Sequence, residues 1–388
     1  MPLTNPLDTM KKGPRFWGRT LLCLTLASCM LLPPVRFAWH EVGYRWAYLL
    51  LMGTLLSAGL TPVCLWLALA LRTLDLPSPR KVHRTPTPLL GGLAVAGAFG
   101  TSLIANGILD RQMVAILNAG VLLVLVGLLD DAYNLPAKLK LTAQLGATAL
   151  LIHAGIEVRL FSEGGLGTLA NMVLTVLWVV GITNAMNFFD GIDGLAASLA
   201  IVTATLLGLL AAFSYQPTLG WCAAALVGSC LGYLPYNWRR APALIFLGDG
   251  GSTFLGFCLA ALALKGAWTG TTPAAYLAPV RVFWIFIYDM AFTTVSRIRT
   301  GKVTSFSEWL AYAGKDHLHH RMTARLGTRH RAVLAILLFS MTPGLTALAL
   351  LHVSPTVAAA LLVTQAALWI GLLIFLEVTG THSDARPE

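Results

Sequence analysis

Residues 168–194 read TLANMVLTVLWVVGITNAMNFFDGIDG. No charged side chain occurs from residue 164 to residue 189. An apolar run of that length crosses a ~30 Å hydrocarbon core as a helix of about 20 residues. Polar oxygens then recur at every third position, at Asn184, Asn187, Asp190 and Asp193. Residues three apart are neighbours on a helix, so Asn187, Asp190 and Asp193 are predicted to share one broad face. Oxygen ligands grouped in this way suit a hard cation such as Mg²⁺. A capping or turn role is the plainer alternative. Amides and carboxylates at this density in an apolar chain are costly without a partner.

The rest of the chain agrees with a membrane reading of this stretch. Of its 388 residues 56% are hydrophobic and 11% charged, against about 25% charged in a soluble domain. The mean hydropathy is +0.72. These values exclude a soluble globular enzyme and a disordered chain alike. The prediction is an all-α, polytopic bundle with about 11–12 transmembrane helices and catalytic cytoplasmic loops. The candidate spans lie at 21–35, 46–71, 89–107, 112–129, 139–156, 168–186, 194–214, 217–235, 252–268, 274–294, 331–352 and 356–378. The first resembles a signal peptide, but no small-x-small cleavage site follows, so it reads as a short uncleaved span. All six cysteines fall inside apolar runs and read as buried small hydrophobes. The expected organisation is an N-terminal basic segment with an extra helix (1–45), a membrane core (46–330) and two C-terminal helices with a tail (331–388).

With the N-terminus inside, 21 of the 27 Lys and Arg fall on inner segments, as the positive-inside rule requires. Asp130, Asp131, Asp190, Asp193, Asp249, Asp289 and Asp316 sort to the same side, although nothing in that rule asks carboxylates to do so. Such a face reads as a polar site.

Four further motifs lie there. Asp130-Asp131 follows the apolar run 121–129 and precedes Lys138, Lys140 and Gln144. Adjacent ionised carboxylates need a cation nearby, which a metal or either lysine could supply. Phe246-Leu-Gly-Asp249-Gly-Gly-Ser252 opens a span with a glycine-rich turn. Such helix starts present free N–H groups and the positive end of the dipole to phosphate. The lysine of an ordinary P-loop is missing. Lys315-Asp316-His317-Leu-His319-His320-Arg321 lies in the longest polar stretch, 297–331, and could grip a diphosphate or form a basic membrane-surface patch. Arg80 and Lys81 lie in a proline-rich, non-helical connection and offer further anion contacts. Together the motifs describe a metal-dependent site for a phosphorylated substrate.

In their order along 46–330 these pieces resemble the polyprenyl-phosphate N-acetylhexosamine-1-phosphate transferase family (glycosyltransferase family 4). The matching segments are Arg80-Lys81…Pro86-Thr-Pro88…Gly91-Gly92, Asp130-Asp131…Lys138, Asn184…Asn187…Asp190-Gly-Ile-Asp193, Phe246-Leu-Gly-Asp249-Gly-Gly-Ser and His317-Leu-His319-His320-Arg321. The His-Leu-His-His-Arg form is similar to the undecaprenyl-phosphate GlcNAc-1-phosphate transferase branch. The resemblance implies attack of undecaprenyl phosphate on the β-phosphorus of a UDP-N-acetylhexosamine with release of UMP. It implies that Asp249 and Asn187 ligate Mg²⁺, with Mn²⁺ as the alternative ion. Asp130 would accept the proton of the lipid phosphate with Asp131 beside it. Asp190 and Asp193 would hold metal waters or the nucleotide. Lys138 would lie near the lipid phosphate, and Phe246 would stack on uracil. His317, His319, His320 and Arg321 would hold the diphosphate and sugar.

The implied partners are undecaprenyl phosphate, the UDP-sugar and membrane lipids, without nucleic acid and with a homodimer left open. The implied location is the bacterial inner membrane, with the site facing the cytoplasm. Arg239 and Arg240 lengthen the stretch between Asn237 and Phe246 relative to the family, so Asn237 receives no role. The competing readings are a secondary transporter with a cytoplasmic-side acidic site and a catalytically silent scaffold.

Overall fold

The computed structural model describes residues 14–77, 85–162, 164–239, 242–267, 273–305, 308–309, 312, 314–350 and 355–378. The chain forms two compact units, residues 1–267 and 268–388. The division falls at a position where the sequence reading places no boundary.

The first unit contains helices α1 (Pro14–Met30), α2 (Pro33–Glu41), α3 (Arg45–Ala70), α4 (Gly91–Ala105), α5 (Arg111–Tyr133), α6 (Ala137–His153), α7 (Gly165–Phe189), α8 (Leu195–Phe213), α9 (Pro217–Asn237) and α10 (Gly248–Lys265). A two-residue antiparallel pair, β1 (Leu74–Asp75) with β2 (Thr87–Pro88), closes the connection from α3 to α4. The second unit contains α11 (Pro273–Val282), α12 (Trp284–Arg299), α13 (Leu318–Leu326), α14 (Arg329–Leu350) and α15 (Pro355–Val378).

The chain is a polytopic helical membrane protein. Among the described residues six helices are long and apolar enough to cross a membrane, or seven if α1 and α2, bent by 68° between Met30 and Pro33, form one span. Of the other candidates, α4 and α6 are helical but shorter, at 15 and 17 residues, while α10 and α15 have 18 and 24. The expected span at 274–294 is broken into α11 and α12. Several hydroxyl groups inside the helices bond to their own backbone. Thr61, Ser102, Thr183 and Ser229 each donate to the carbonyl four residues earlier, at 2.6–2.8 Å. In a bilayer no water could do this instead.

One helix organises the first unit. Fifteen of the eighteen residues of α10 are buried, and α4, α5, α7, α8 and α9 pack around it. It runs antiparallel to α5, and the pair is fastened at both ends. At one end Lys265 bonds Asp110 at 2.7 Å, while Asp110 caps α5 by accepting from the Met113 N–H. At the other end the Asp249 N–H donates to Asp131 Oδ1 at 2.9 Å. Near that end a Cβ on Gly127 would strike the backbone of Gly250. The missing side chains let α5 and α10 touch main chain to main chain, the close approach small residues allow between membrane helices.

The cysteines are all free. Cys64, Cys222, Cys230 and Cys258 are buried, Cys23 is partly covered and Cys29 is exposed.

Candidate active site

Four chain segments of the first unit meet at the α5 end of α10. The last turn of α5 brings Asp130 and Asp131, the first turn of α6 brings Lys140, the end of α7 brings Asn187, and the first turn of α10 brings Asp249. Asn134, in the left-handed conformation at φ 52°, ends α5 and turns the chain into α6. Asp130 then accepts from the Leu135 N–H at 2.7 Å, which fixes the corner.

Lys140 Nζ lies between two carboxylates, 2.7 Å from Asp130 Oδ2 and 3.4 Å from Asp249 Oδ2. Asp249 Oδ1 accepts from the Asn187 amide at 3.0 Å, and the same amide nitrogen lies 2.8 Å from Ser252 Oγ. Asp131 Oδ2 is buried and lacks a hydrogen-bond partner. It occupies the place a Cβ of Gly248 would take, and Gly248 has φ +75°. A larger residue there would be strained and would displace the carboxylate.

Beneath Lys140 and Asn187, Gln144 and Asn184 form a reciprocal amide pair between α6 and α7. Asn184 donates to Gln144 Oε1 at 2.7 Å, and Gln144 donates to Asn184 Oδ1 at 3.2 Å.

The helical face expected for Asn187, Asp190 and Asp193 forms only as far as Asn187. Helix α7 ends at Phe189, and Asp190 is its C-cap. Residues 190–194 are a turn that ends at Gly194, which has φ +81°. The glycines at 191 and 194 favour the turn over another helical step. Asp190 still belongs to the cluster electrostatically. Burial, and then the negative charges of Asp249, Asp131 and Asp193, push its carboxyl well above the usual range. Asp193 is half-buried.

Lys138 requires a correction. It is exposed, and Lys140 rather than Lys138 reaches the carboxylates. Residues two apart on a helix point about 200° apart, so only one of these lysines can face the carboxylates. Asn237 has a structural role: it accepts from the Gly194 N–H at 2.6 Å and donates to the Ile245 carbonyl at 3.0 Å. This joins the 190–194 turn to the strand-like segment before Phe246.

Phe246 is half-buried. Its N–H donates to the Pro88 carbonyl at 2.7 Å, and its carbonyl accepts from Gly91 at 2.9 Å. Gly92 donates to the Leu247 carbonyl at 2.8 Å. The proline-rich connection is therefore laced to the entrance of α10. Arg80 and Lys81 lie outside the described residues.

The histidine cluster belongs to the second unit. Asp289, buried on α12, lies 2.7 Å from His317 Nδ1 and accepts from the Leu318 N–H at 2.7 Å. Arg297 lies against His317 Nε2 at 3.1 Å and forks onto Asp316 at 2.8 Å through each of two nitrogens. A guanidinium can only donate, so His317 Nε2 accepts and Nδ1–H donates to Asp289. Both ring nitrogens are thus engaged, and His317 acts as a strut for the loop. Arg297 holds the Asp316 carboxyl below the usual range although burial opposes it.

Burial, and then the proximity of the His320 and His317 rings and of Arg321, push His319 well below the usual imidazole range. Burial, His317 and Lys315 lower His320. Near neutral pH these two rings offer hydrogen bonds rather than charge. Arg321 lies 3.5 Å from Asp289 and 4.0 Å from the Phe292 ring centre. Along α12 runs an apolar groove of about 570 Å³, lined by Trp284, Tyr288, Phe292, Val295 and Ile370 among others.

Lys140, Ser252, Asp289 and Arg297 complete these constellations without having been chosen as site residues. A lone Asp inside the apolar run before Met290 is the signal for Asp289, because a buried carboxylate at a membrane boundary requires a partner.

The donor set fits Mg²⁺. That ion takes hard oxygens and uses one or two carboxylates, with waters and substrate phosphates filling its octahedron. Among the described residues no group of three or more His, Cys, Asp or Glu side chains is placed to hold a metal ion. Asn187 meets Asp249 through its amide, whose oxygen and nitrogen exchange places by a half-turn. Asp131 Oδ2 supplies the buried, unpartnered oxygen nearby.

Converging helix ends that carry carboxylates, an amide and a lysine define a multi-pass membrane protein with a polar site at one end of its bundle. The family model for glycosyl transferase family 4 matches residues 113–267. A probable undecaprenyl-phosphate N-acetylglucosaminyl 1-phosphate transferase of Bacillus subtilis (strain 168) is 34% identical over 333 residues, 84% of this chain and 89% of that protein. A decaprenyl-phosphate N-acetylglucosaminephosphotransferase of Mycobacterium tuberculosis (strain ATCC 25618 / H37Rv) is 35% identical over 308 residues, 70% and 74% of the two chains. The undecaprenyl-phosphate alpha-N-acetylglucosaminyl 1-phosphate transferase of Escherichia coli (strain K12) is 31% identical over 292 residues, 71% and 76%. The chain belongs to glycosyl transferase family 4.

Proposed function

We propose that the protein transfers N-acetylhexosamine 1-phosphate, with GlcNAc as the preferred sugar, from a UDP-sugar to undecaprenyl phosphate. A lipid phosphate oxygen forms a bond to the β-phosphorus of the donor. The bond from that phosphorus to the bridging oxygen breaks, and UMP leaves with the electron pair. The observation that carries this reading is the juxtaposition of Asp130, Asp131 and Asp249 around Lys140 and Asn187. Such charge-dense, preorganised groups are what phosphoryl transfer needs. The relatives support the same acceptor class through their names. Nothing in the comparisons favours a transporter.

Asp249 and Asn187 would hold Mg²⁺, with Mn²⁺ as a substitute, and that ion would neutralise charge on the diphosphate. Lys140, 2.7 Å from Asp130, would hold that carboxylate where it can take the proton of the lipid phosphate. Asp131 orients the start of α10 through the Asp249 N–H. Asp190 and Asp193 line the nucleotide side, and Phe246 offers a half-buried ring for uracil. His319, His320 and Arg321, in the second unit, would give hydrogen bonds and charge to a phosphorylated substrate, and His317 holds their loop. The groove along α12 suits a hydrocarbon chain. The site faces the cytoplasm of a bacterial inner membrane in this reading, because most Lys and Arg sort with it.

The test uses full-length protein in detergent with undecaprenyl phosphate, Mg²⁺ and a panel of UDP-sugars, following UMP and lipid-linked product. UMP release should require the divalent ion and favour UDP-GlcNAc. Asp249→Asn should lower it by about 10²–10³-fold or more. Absence of UMP from every UDP-N-acetylhexosamine, in folded protein that binds the lipid, overturns the reading.

A further inference from the structure

A second polar cluster lies at the opposite end of α3 and α4 from the carboxylates. The 26 residues of α3 separate the two ends by about 39 Å at 1.5 Å per residue. Arg36 and Arg45 are two of the six Lys and Arg that do not sort with the basic face. Arg36 Nη1 donates to the Ala105 carbonyl at 2.9 Å, and Arg45 Nη2 donates to the Asn106 carbonyl at 2.6 Å. Both therefore sit on the negative end of α4. Arg45 also lies 4.1 Å from the centre of the Trp221 ring. His40 stands in the field of both guanidiniums and packs edge-on against Tyr48.

Glu41, next to His40 at the end of α2, is the one carboxylate on that helix, and it does not fully balance the cluster. A helix C-terminus supplies about half a negative charge, against two guanidiniums. Among the described residues no carboxylate forms an ion pair with Arg36, His40 or Arg45. Arg45 Nε and His40 Nε2 are buried without hydrogen-bond partners. Unbalanced positive charge beside low-dielectric protein attracts an anion.

The surroundings indicate which anion. Helix α2 bends 68° away from α1, so it lies across the line of that helix. Phe37, Tyr44 and Trp46 around it are each more than half exposed. Aromatic side chains of this kind mark the headgroup depth of a bilayer, where lipid phosphates lie.

We propose that Arg36, His40 and Arg45 form a binding site for the phosphate of an anionic phospholipid in the leaflet opposite the carboxylate site. The α4 carbonyls hold the guanidiniums in place, so that their charge is offered to the headgroup. Recognition is by net negative charge, so a zwitterionic lipid binds more weakly.

Full-length protein in detergent is titrated separately with dioctanoyl phosphatidylglycerol, dioctanoyl phosphatidylcholine and inorganic phosphate. The readouts are the lipid-dependent rise in Tm and the lipid retained in native mass spectrometry. Phosphatidylglycerol should act at concentrations at least about tenfold lower than phosphatidylcholine. Arg36→Gln should erase that preference, and Arg36→Lys should keep part of it. Losing the contact to Ala105 lowers the baseline Tm in any case, so the increment with lipid is compared, not the baseline. Arg45→Gln should behave as Arg36→Gln does; if it does not fold, Arg36→Gln decides alone. Equal action of the two lipids, or a preference unchanged in Arg36→Gln, overturns the site and leaves the arginines as caps of α4. Inorganic phosphate acting as well as phosphatidylglycerol overturns the lipid assignment in favour of a small-anion site.

Discussion

Among the described residues Lys140 is the single cation that touches two of the clustered carboxylates, whereas Lys138 is exposed. Lys140→Met should therefore lower UMP release by about 10²-fold. Lys138→Met, an exposed change worth about 0.5 kcal/mol or less, should leave it within about 2–3-fold. The reverse ranking would return the role to Lys138. Asp190 gives a pH-dependent expectation. Its folded carboxyl lies above the unfolded value because of burial and then the charges of Asp249, Asp131 and Asp193. The folded state thus binds the proton more tightly, and ionisation opposes folding as pH rises through the folded pKa. The penalty is full above that value and absent below the unfolded one. In chelator, Asp190→Asn should raise Tm near pH 8, with a gain that shrinks toward about pH 4. A gain independent of pH would place Asp190 outside the carboxylate field.

At the scale of elements, the Gln144–Asn184 pair sets the register of α6 against α7. Gln144 lies one turn after Lys140, and Asn184 lies one turn before Asn187. Removing one partner leaves a buried amide unsatisfied, at a cost of about 1–3 kcal/mol. Gln144→Leu and Asn184→Leu should each lower Tm and activity, and the double variant should be less destabilised than their sum. Strict additivity in thermal unfolding would show that the pair is not coupled. The elements also show what could be read from the sequence. Asp130, Asp131, Asn187 and Asp249 were legible because carboxylates and amides beside apolar runs require partners. The choice between Lys138 and Lys140 was not, because it depends on the turn at Asn134 where α6 begins. The break of α7 before Asp190 was missed because a three-residue spacing looks helical until Gly191 and Gly194 are weighed. Asp289 was recognisable only as a polar residue, since its partners His317 and Leu318 lie 28 and 29 positions away.

For the molecule as a whole, the two ends of the first unit should face opposite sides of the membrane. In a cysteine-free background, Lys138→Cys should react with an impermeant maleimide in inverted vesicles and Val42→Cys in intact spheroplasts. Exchange of the two patterns would reverse the proposed orientation while leaving the chemistry intact. The backbone bonds that join Pro88, Gly91 and Gly92 to Phe246 and Leu247 also bear on biosynthesis. The ribosome releases Asp130 and Asn187 long before Asp249. Until the later segment is threaded into the middle of the earlier helices, Asp131 has no Asp249 N–H to hold, and Gly91 and Gly92 have no carbonyls to meet. The nascent chain thus carries Asp130, Asp131 and Asn187 into the bilayer before Asp249 can join them, and the carboxylate cluster closes with insertion of the central helix.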